Sequence, residues 1–248
     1  QAVAARSYAM TQHRARINTS HFDVTDGPSS QMFLGDVVLD VAHRAVQETS
    51  GIVLWWNSKI VPAYYSACCG GIAAAAKDAI SDSNTHDIPP LFGHDGKDCC
   101  VEVDSHKWSL ARPARTLRKR LNAASAALKI PELAKLRTIR SIEPTERNHH
   151  GRPTKLSILS RNNEIISVRA TDVMRAANAT VESLPNPKKQ LRSSFLTAKK
   201  IGSNIQIDGL GMGHGVGLCQ YGAQVLAGRG ETWQNILGWY YPESVINT

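Results

Sequence analysis

The stretch Asp208-Gly-Leu-Gly-Met-Gly-His-Gly-Val-Gly-Leu-Cys-Gln-Tyr-Gly-Ala223 carries glycine at every second position from 209 to 217. Glycine buries no side chain and costs backbone entropy, so five in alternation need a reason. Either the backbone takes positive φ or comes close to a ligand, or it turns a tight packing corner. The strand pattern at 204–207 and the helix pattern at 218–227 that bracket it invite comparison with a dinucleotide-binding loop. The spacing is G-x-G-x-G, however, and residues 230–237 begin another helix where a second parallel strand with a terminal acid is required. A dinucleotide fold is excluded on that ground.

Outward from this segment, the strand patterns pair as hairpins. Residues 51–56 and 59–65 flank Asn57-Ser58, 155–159 and 164–169 flank Asn162-Asn163, and 195–199 precedes 204–207. Helical patterns lie at 1–17, where Val3, Met10 and Ile17 recur at heptad spacing, and at 37–49, 111–128, from Pro131 onward, 172–178 and 231–239. Residues 78–106 read as loop. Nothing resembling an N-cap precedes Gln1, so the first helix is expected to begin before this sequence does. Hairpins interrupted by helices, without regular βαβ alternation, predict an α+β fold of mostly antiparallel strands.

The chain has 248 residues, 42% of them apolar and 20% charged, as in a globular protein large enough for a sizeable core. The longest uncharged stretches, 60–76 and 209–228, are broken by Pro62, Gly70-Gly71 and seven glycines, which excludes a continuous apolar helix across a membrane. No export signal is legible at the start. The net charge of +8 is unevenly spread: residues 105–200 hold 21 Lys and Arg against 6 Asp and Glu, whereas the flanks are acidic. Such a block suits a polyanion or serves as a solvated helix face. No aromatic RNA-binding pattern or zinc-finger spacing accompanies it, so no nucleic acid is expected.

The five cysteines are Cys68, Cys69, Cys99, Cys100 and Cys219. One member of each adjacent pair could join the other as a disulfide, or the pairs could hold zinc with His94 or His106, or all could be free thiols. The candidate metal set is Cys69, Cys100 and His106, and the candidate disulfide is Cys69 with Cys100. The two pairs are expected to lie close together.

Several boxes together resemble the stage II sporulation protein D and amidase-enhancer (SpoIID/LytB) family of bacterial cell-wall proteins. They are Gln1-Ala-Val-Ala-Ala-Arg-Ser-Tyr-Ala9, Gln31-Met-Phe-Leu-Gly35, the run from Ala45-Val46 to Val53-Leu54, Tyr64-Tyr-Ser-Ala-Cys-Cys-Gly-Gly71, the Gly-rich segment, and Ile236-Leu-Gly-Trp-Tyr-Tyr-Pro242. The resemblance covers 1–108 and about 150–248. Residues 111–150 fit it poorly and read as a basic helical insertion within one 1–248 domain.

The resemblance implies a cell-envelope or extracellular protein acting on peptidoglycan, either as a lytic transglycosylase or as a non-catalytic enhancer of an amidase. A transglycosylase needs a carboxylic acid to protonate the glycosidic oxygen. In the family that acid is a Glu upstream of the first box, so no catalytic residue is assigned within this sequence. The expected partners are glycan strands, a cell-wall amidase and anionic wall polymer. The candidate substrate-binding residues are Arg6, Tyr8, Gln31, Tyr65, Ser66, His214, Gln220 and Tyr221, around a cleft formed by the first helix, residues 31–35, the Cys-Cys-Gly-Gly turn and the Gly-rich segment. Against these stand blander roles: Arg6 as an anchor for an internal carboxylate, Cys219 as a small buried residue, and Tyr64, Tyr65, Trp239, Tyr240 and Tyr241 as core. Ser66 stands where some relatives carry a metal-ligand His, which weighs against a family-type zinc site.

Overall fold

The computed structural model describes residues 1–27, 30–31, 35, 39–81, 83–160, 163–181, 184–186 and 189–248. Its buried side chains form two separate cores, and the chain passes from the first to the second and back.

Helix α1 (Ala2–Arg16) opens the first lobe. Its buried face is Val3, Ala4, Ser7 and Tyr8, while Met10 and Ile17 are exposed, so the heptad stripe expected from the sequence holds only at Val3. The Ser7 hydroxyl donates to Val3 O (2.7 Å) and accepts from Leu54 N–H (2.9 Å), which fastens the helix to the next strand. Helix α2 (Asp40–Glu48) follows; positions 32–34 of the expected box and 37–38 of the expected helix lie outside the described residues. Strands β1 (Val53–Trp56) and β2 (Lys59–Ile60) form the expected hairpin, with Asn57 and Ser58 at φ 45° and 60°, the two positive values that a tight two-residue turn demands. Strand β3 (Tyr65–Ser66), a short helix α3 (Ala76–Ala79) and a run of single 3-10 turns to residue 106 complete this pass.

The second lobe begins at strand β4 (Lys107–Pro113), followed by helices α4 (Ala114–Ala127) and α5 (Pro131–Ala134) and strands β5 (Ser141–Arg147), β6 (Pro153–Leu159) and β7 (Ile165–Arg169). Helix α6 (Ala170–Asn178) and strands β8 (Leu196–Ile201) and β9 (Asn204–Leu210) close it. The sheet is antiparallel throughout, in the order β4-β9-β8-β5-β6-β7. Period-2 alternation turns Leu156, Ile158, Leu196, Ala198, Ile205 and Ile207 to one face, where Leu117 and Leu121 of α4, Leu133 of α5 and Val173 of α6 cover them. Truncating one such leucine to alanine costs about 2–5 kcal/mol.

Two strands depart from the sequence expectation. β4 was expected in part as helix, but Trp108, Leu110 and Arg112 alternate inward, and Gly209 on β9 leaves the space Trp108 needs: a Cβ there would lie 2.1 Å from the ring. β5 contains Pro144, normally a strand breaker; β8 pairs only with Ser141 and Ile142, so the proline sits where one edge is open and the register to β6 shifts just after it. Residues 111–150 are therefore the end of one strand, two helices and another strand within a larger lobe, not a helical unit. Arg112 and Arg120 point inward: Arg112 donates to Ala177 O (3.0 Å) and Lys189 O, and Arg120 to Ala179 O (2.8 Å) and Pro185 O.

The chain returns to the first lobe through strand β10 (Leu218–Cys219), helices α7 (Gln220–Gly228) and α8 (Trp233–Tyr240), and strand β11 (Val245–Asn247), which pairs with β1. Helices and mostly antiparallel sheets make the fold α+β. None of the described helices is long and apolar enough to cross a membrane.

Candidate functional site

The Gly-rich segment lies against residues 64–70. β10 pairs in parallel with β3, placing Leu218 opposite Tyr65 and Cys219 opposite Ser66, and Met212 bridges Cys68. A Cβ on Gly211 would lie 2.6 Å from Cys68 O, on Gly213 2.7 Å from Ser66 Cβ, and on Gly217 2.1 Å from Tyr64 O. Gly211, Gly213, Gly215 and Gly217 take the positive φ expected of them (79°, 103°, 77° and 63°), and the alternation is also a close backbone packing corner in which these glycines face protein.

Several candidate binding side chains are engaged by this packing. Arg6 donates to Thr49 O (2.6 Å) and Ile52 O (2.8 Å), so it holds the turn after α2 through carbonyls, not an internal carboxylate. Gln31 donates to Ala5 O (2.8 Å), and the Ser66 hydroxyl accepts from Gly215 N–H (3.2 Å). Tyr8 is buried edge-on against Tyr64, and Tyr240 and Tyr241 are core. Tyr65 and Tyr221 are half-buried beside the first core. His214 is half-buried, accepts from Val216 N–H at Nδ1 (3.0 Å), and meets Tyr64 edge-on. Burial and then the Arg152 cation push its pKa down to about 4, so the ring is neutral at pH 7.

Gln220 faces an open groove of about 410 Å³, where the start of α1 meets α7 and α8. Val3, Leu218, Ile236 and Leu237 form its apolar floor, and Glu48, Gln220, Gln224 and Trp233 supply polar or aromatic contacts. Trp233 extends the apolar stripe Ile236-Leu237-Tyr240 of α8 one turn past the core, which leaves it exposed. That i, i+3, i+4, i+7 spacing was the signal available for Trp233. Glu48 and Gln224 gave none.

Beneath the Gly-rich corner, the Sγ atoms of Cys69, Cys100 and Cys219 and a carboxylate oxygen of Asp98 all lie within 4.8 Å of one another, and all four residues are buried. Cys69 Sγ and Cys100 Sγ are 3.6 Å apart, and every cysteine is a free thiol. The cluster includes Cys219 and Asp98 and leaves out His106, whose Nδ1 pairs with Val103 O (2.8 Å). His94 Nε2 lies 3.3 Å from Asp98 Oδ2, next to the cluster rather than in it. Burial pushes the Asp98 carboxyl up, but His94, Cys100 N–H and the Tyr240 hydroxyl together hold it below the usual range. The Cys100 contact and burial push the Cys69 thiol well above its ordinary value.

Residues 1–56 match the family model described as Stage II sporulation protein. Residues 80–217, more than half of the chain, match the model described as Domain of unknown function (DUF8618). The whole chain is 26% identical to the amidase enhancer of Bacillus subtilis (strain 168) and spans 37% of it. Over 97% of its length it is 29% identical to an uncharacterized protein of Brachyspira hyodysenteriae, of which it spans 58%. The relatives are thus much longer than this chain. By the match over residues 80–217 the chain belongs to the DUF8618 family, and its ordered sequence boxes, the match over α1 to β1 and the similarity along its full length make it similar to the SpoIID/LytB proteins.

Proposed function

We propose that this chain is a cell-envelope module that binds peptidoglycan glycan strands in the groove between α1, α7 and α8. The observation that carries the reading is the pairing of exposed Trp233 with the amides of Gln220 and Gln224 over an apolar floor. A sugar ring has an apolar face for an indole to stack on and hydroxyls for amides to bind, and a groove of this size holds one or two such rings. The relative named as an amidase enhancer supports a role in presenting the wall to an amidase. Among the described residues Glu48 is the sole carboxylate lining the groove, and it stands in solvent, unlike the apolar setting a glycosidic general acid requires. Glycan cleavage is therefore not assigned to this groove.

The test is co-sedimentation of the chain with purified sacculi, with and without stem peptides, followed by analysis of the soluble products. Retention on peptide-free glycan with no new sugar ends supports the binding module. Anhydro-ended sugars from this chain would replace it with the transglycosylase reading, and absence of retention would sink both.

A further inference from the structure

We propose that Cys69, Cys100, Cys219 and Asp98 form a closed, tetrahedral zinc site that locks the Gly-rich corner to the loop at 98–100. Two thiolates on one tetrahedral zinc, each about 2.3 Å from the metal, sit about 3.7 Å apart. The observed Cys69–Cys100 separation is 3.6 Å, and the remaining donor atoms fall within 4.8 Å.

Main-chain N–H groups point at two of the three sulfurs. Cys219 Sγ accepts from Cys69 N–H (3.3 Å) and Gly222 N–H (3.4 Å), and Cys100 Sγ accepts from Gly71 N–H (3.2 Å). Cys219 also caps the N-terminus of α7, which fixes its sulfur in place beside the other donors. Asp98 is oriented as a ligating carboxylate usually is, by Cys100 N–H on Oδ1 (2.7 Å) and the Tyr240 hydroxyl on Oδ2 (2.8 Å). Gly222 makes room for it, since a Cβ there would lie 2.2 Å from Asp98 Oδ1.

An independent observation is Arg152. Arg152 is 2% exposed, one terminal nitrogen has no hydrogen-bond partner, and no carboxylate among the described residues pairs with it. A buried cation without a counter-charge is costly. Zinc with three thiolates and a carboxylate carries two net negative charges and supplies that counter-charge next door. Zinc entry releases the three thiol protons to solvent, and nothing is oxidised. Four protein ligands, all buried, leave no open position, so the metal is structural.

The chain is produced with zinc in the medium, dialysed against metal-free buffer, and analysed for metal content, intact mass and thiols after denaturation. The expected result is about one zinc per chain and all five thiols titratable. Cobalt replacing zinc should give thiolate charge-transfer absorption and the intense visible bands of tetrahedral Co²⁺. Cys219→Ser and Asp98→Asn should weaken metal retention by about tenfold or more. Cys99→Ser, whose sulfur meets Gly222 O outside the cluster, should keep it. Should the ligand variants fail to fold, the cobalt spectrum of the unaltered chain decides alone. A metal-free chain overturns the proposal, whether it carries five thiols or shows three thiols and the mass of one disulfide.

Discussion

The Arg152 guanidinium, at the entrance to β6 in the second lobe, donates to the main-chain oxygen of Cys69 in the first and to Ile72 O at 2.9 Å. It also lies against the ring of Phe195 and fills the space over Gly215, where a Cβ would lie 2.7 Å away. One side chain thus joins both cores to the Gly-rich corner. Arg152→Lys keeps the charge but loses the planar fork and leaves carbonyls unsatisfied. It should lower unfolding free energy by about 2–4 kcal/mol in urea melts, and an unchanged midpoint would contradict the anchoring role.

Gly222 and Gly228 share α7 but differ in surroundings. Alanine at 222 would collide with Asp98 and the Tyr240 hydroxyl, both 2.2 Å from its Cβ, whereas nothing lies within 4 Å at 228. Gly222→Ala should cost at least about 3 kcal/mol, and Gly228→Ala should be neutral or stabilising by up to about 1 kcal/mol. Thermal melts of the two variants side by side check this.

The folded-state pKa of His214, about 4, lies below the ordinary 6.5. The unfolded chain therefore binds the extra proton more readily, so the contribution of the neutral ring is fully present above pH 6.5 and is lost as pH falls from 6.5 to 4. The loss amounts to at most about 3 kcal/mol. His214→Asn should flatten the stability-versus-pH curve across that window. A slope equal to that of the unaltered chain would show the ring to be better solvated than its packing implies.

On the second lobe, Arg140, Lys199 and Lys200 line one open surface groove, and Arg115, Lys119 and Arg137 are also exposed. Binding to anionic wall polymer should weaken steeply between low and physiological salt, where the Debye length is about 8 Å. Charge reversal at Lys199 and Lys200 together should remove most of that salt dependence. If binding and its salt slope were unaltered, the basic face would serve solubility alone.

Hairpins and helices with local signals were legible in the sequence: Asn57-Ser58 marks its turn, and α7 and α8 follow their apolar spacing. β5 was not, because Pro144 argues against a strand until one knows that one of its edges is open. β4 was masked by the basic helix pattern that begins inside it. Pairing of Cys69 with Cys100 could be anticipated from the two doublets, but Asp98 and Cys219 join them only through the long-range β3–β10 pairing. Arg6, Gln31 and Ser66 looked available for substrate because a sequence does not show which carbonyls and amides a fold leaves for a polar side chain to satisfy.

The most direct test of the glycan-binding groove is isothermal titration of the chain with peptide-free glycan strands, alongside Trp233→Ala. Trp233 is 39% exposed, so its removal should leave the fold intact. Saturable binding that weakens about tenfold in the variant, equivalent to about 1.4 kcal/mol, is the predicted result. Equal affinity of the two proteins would place the glycan elsewhere on the molecule and contradict the assignment.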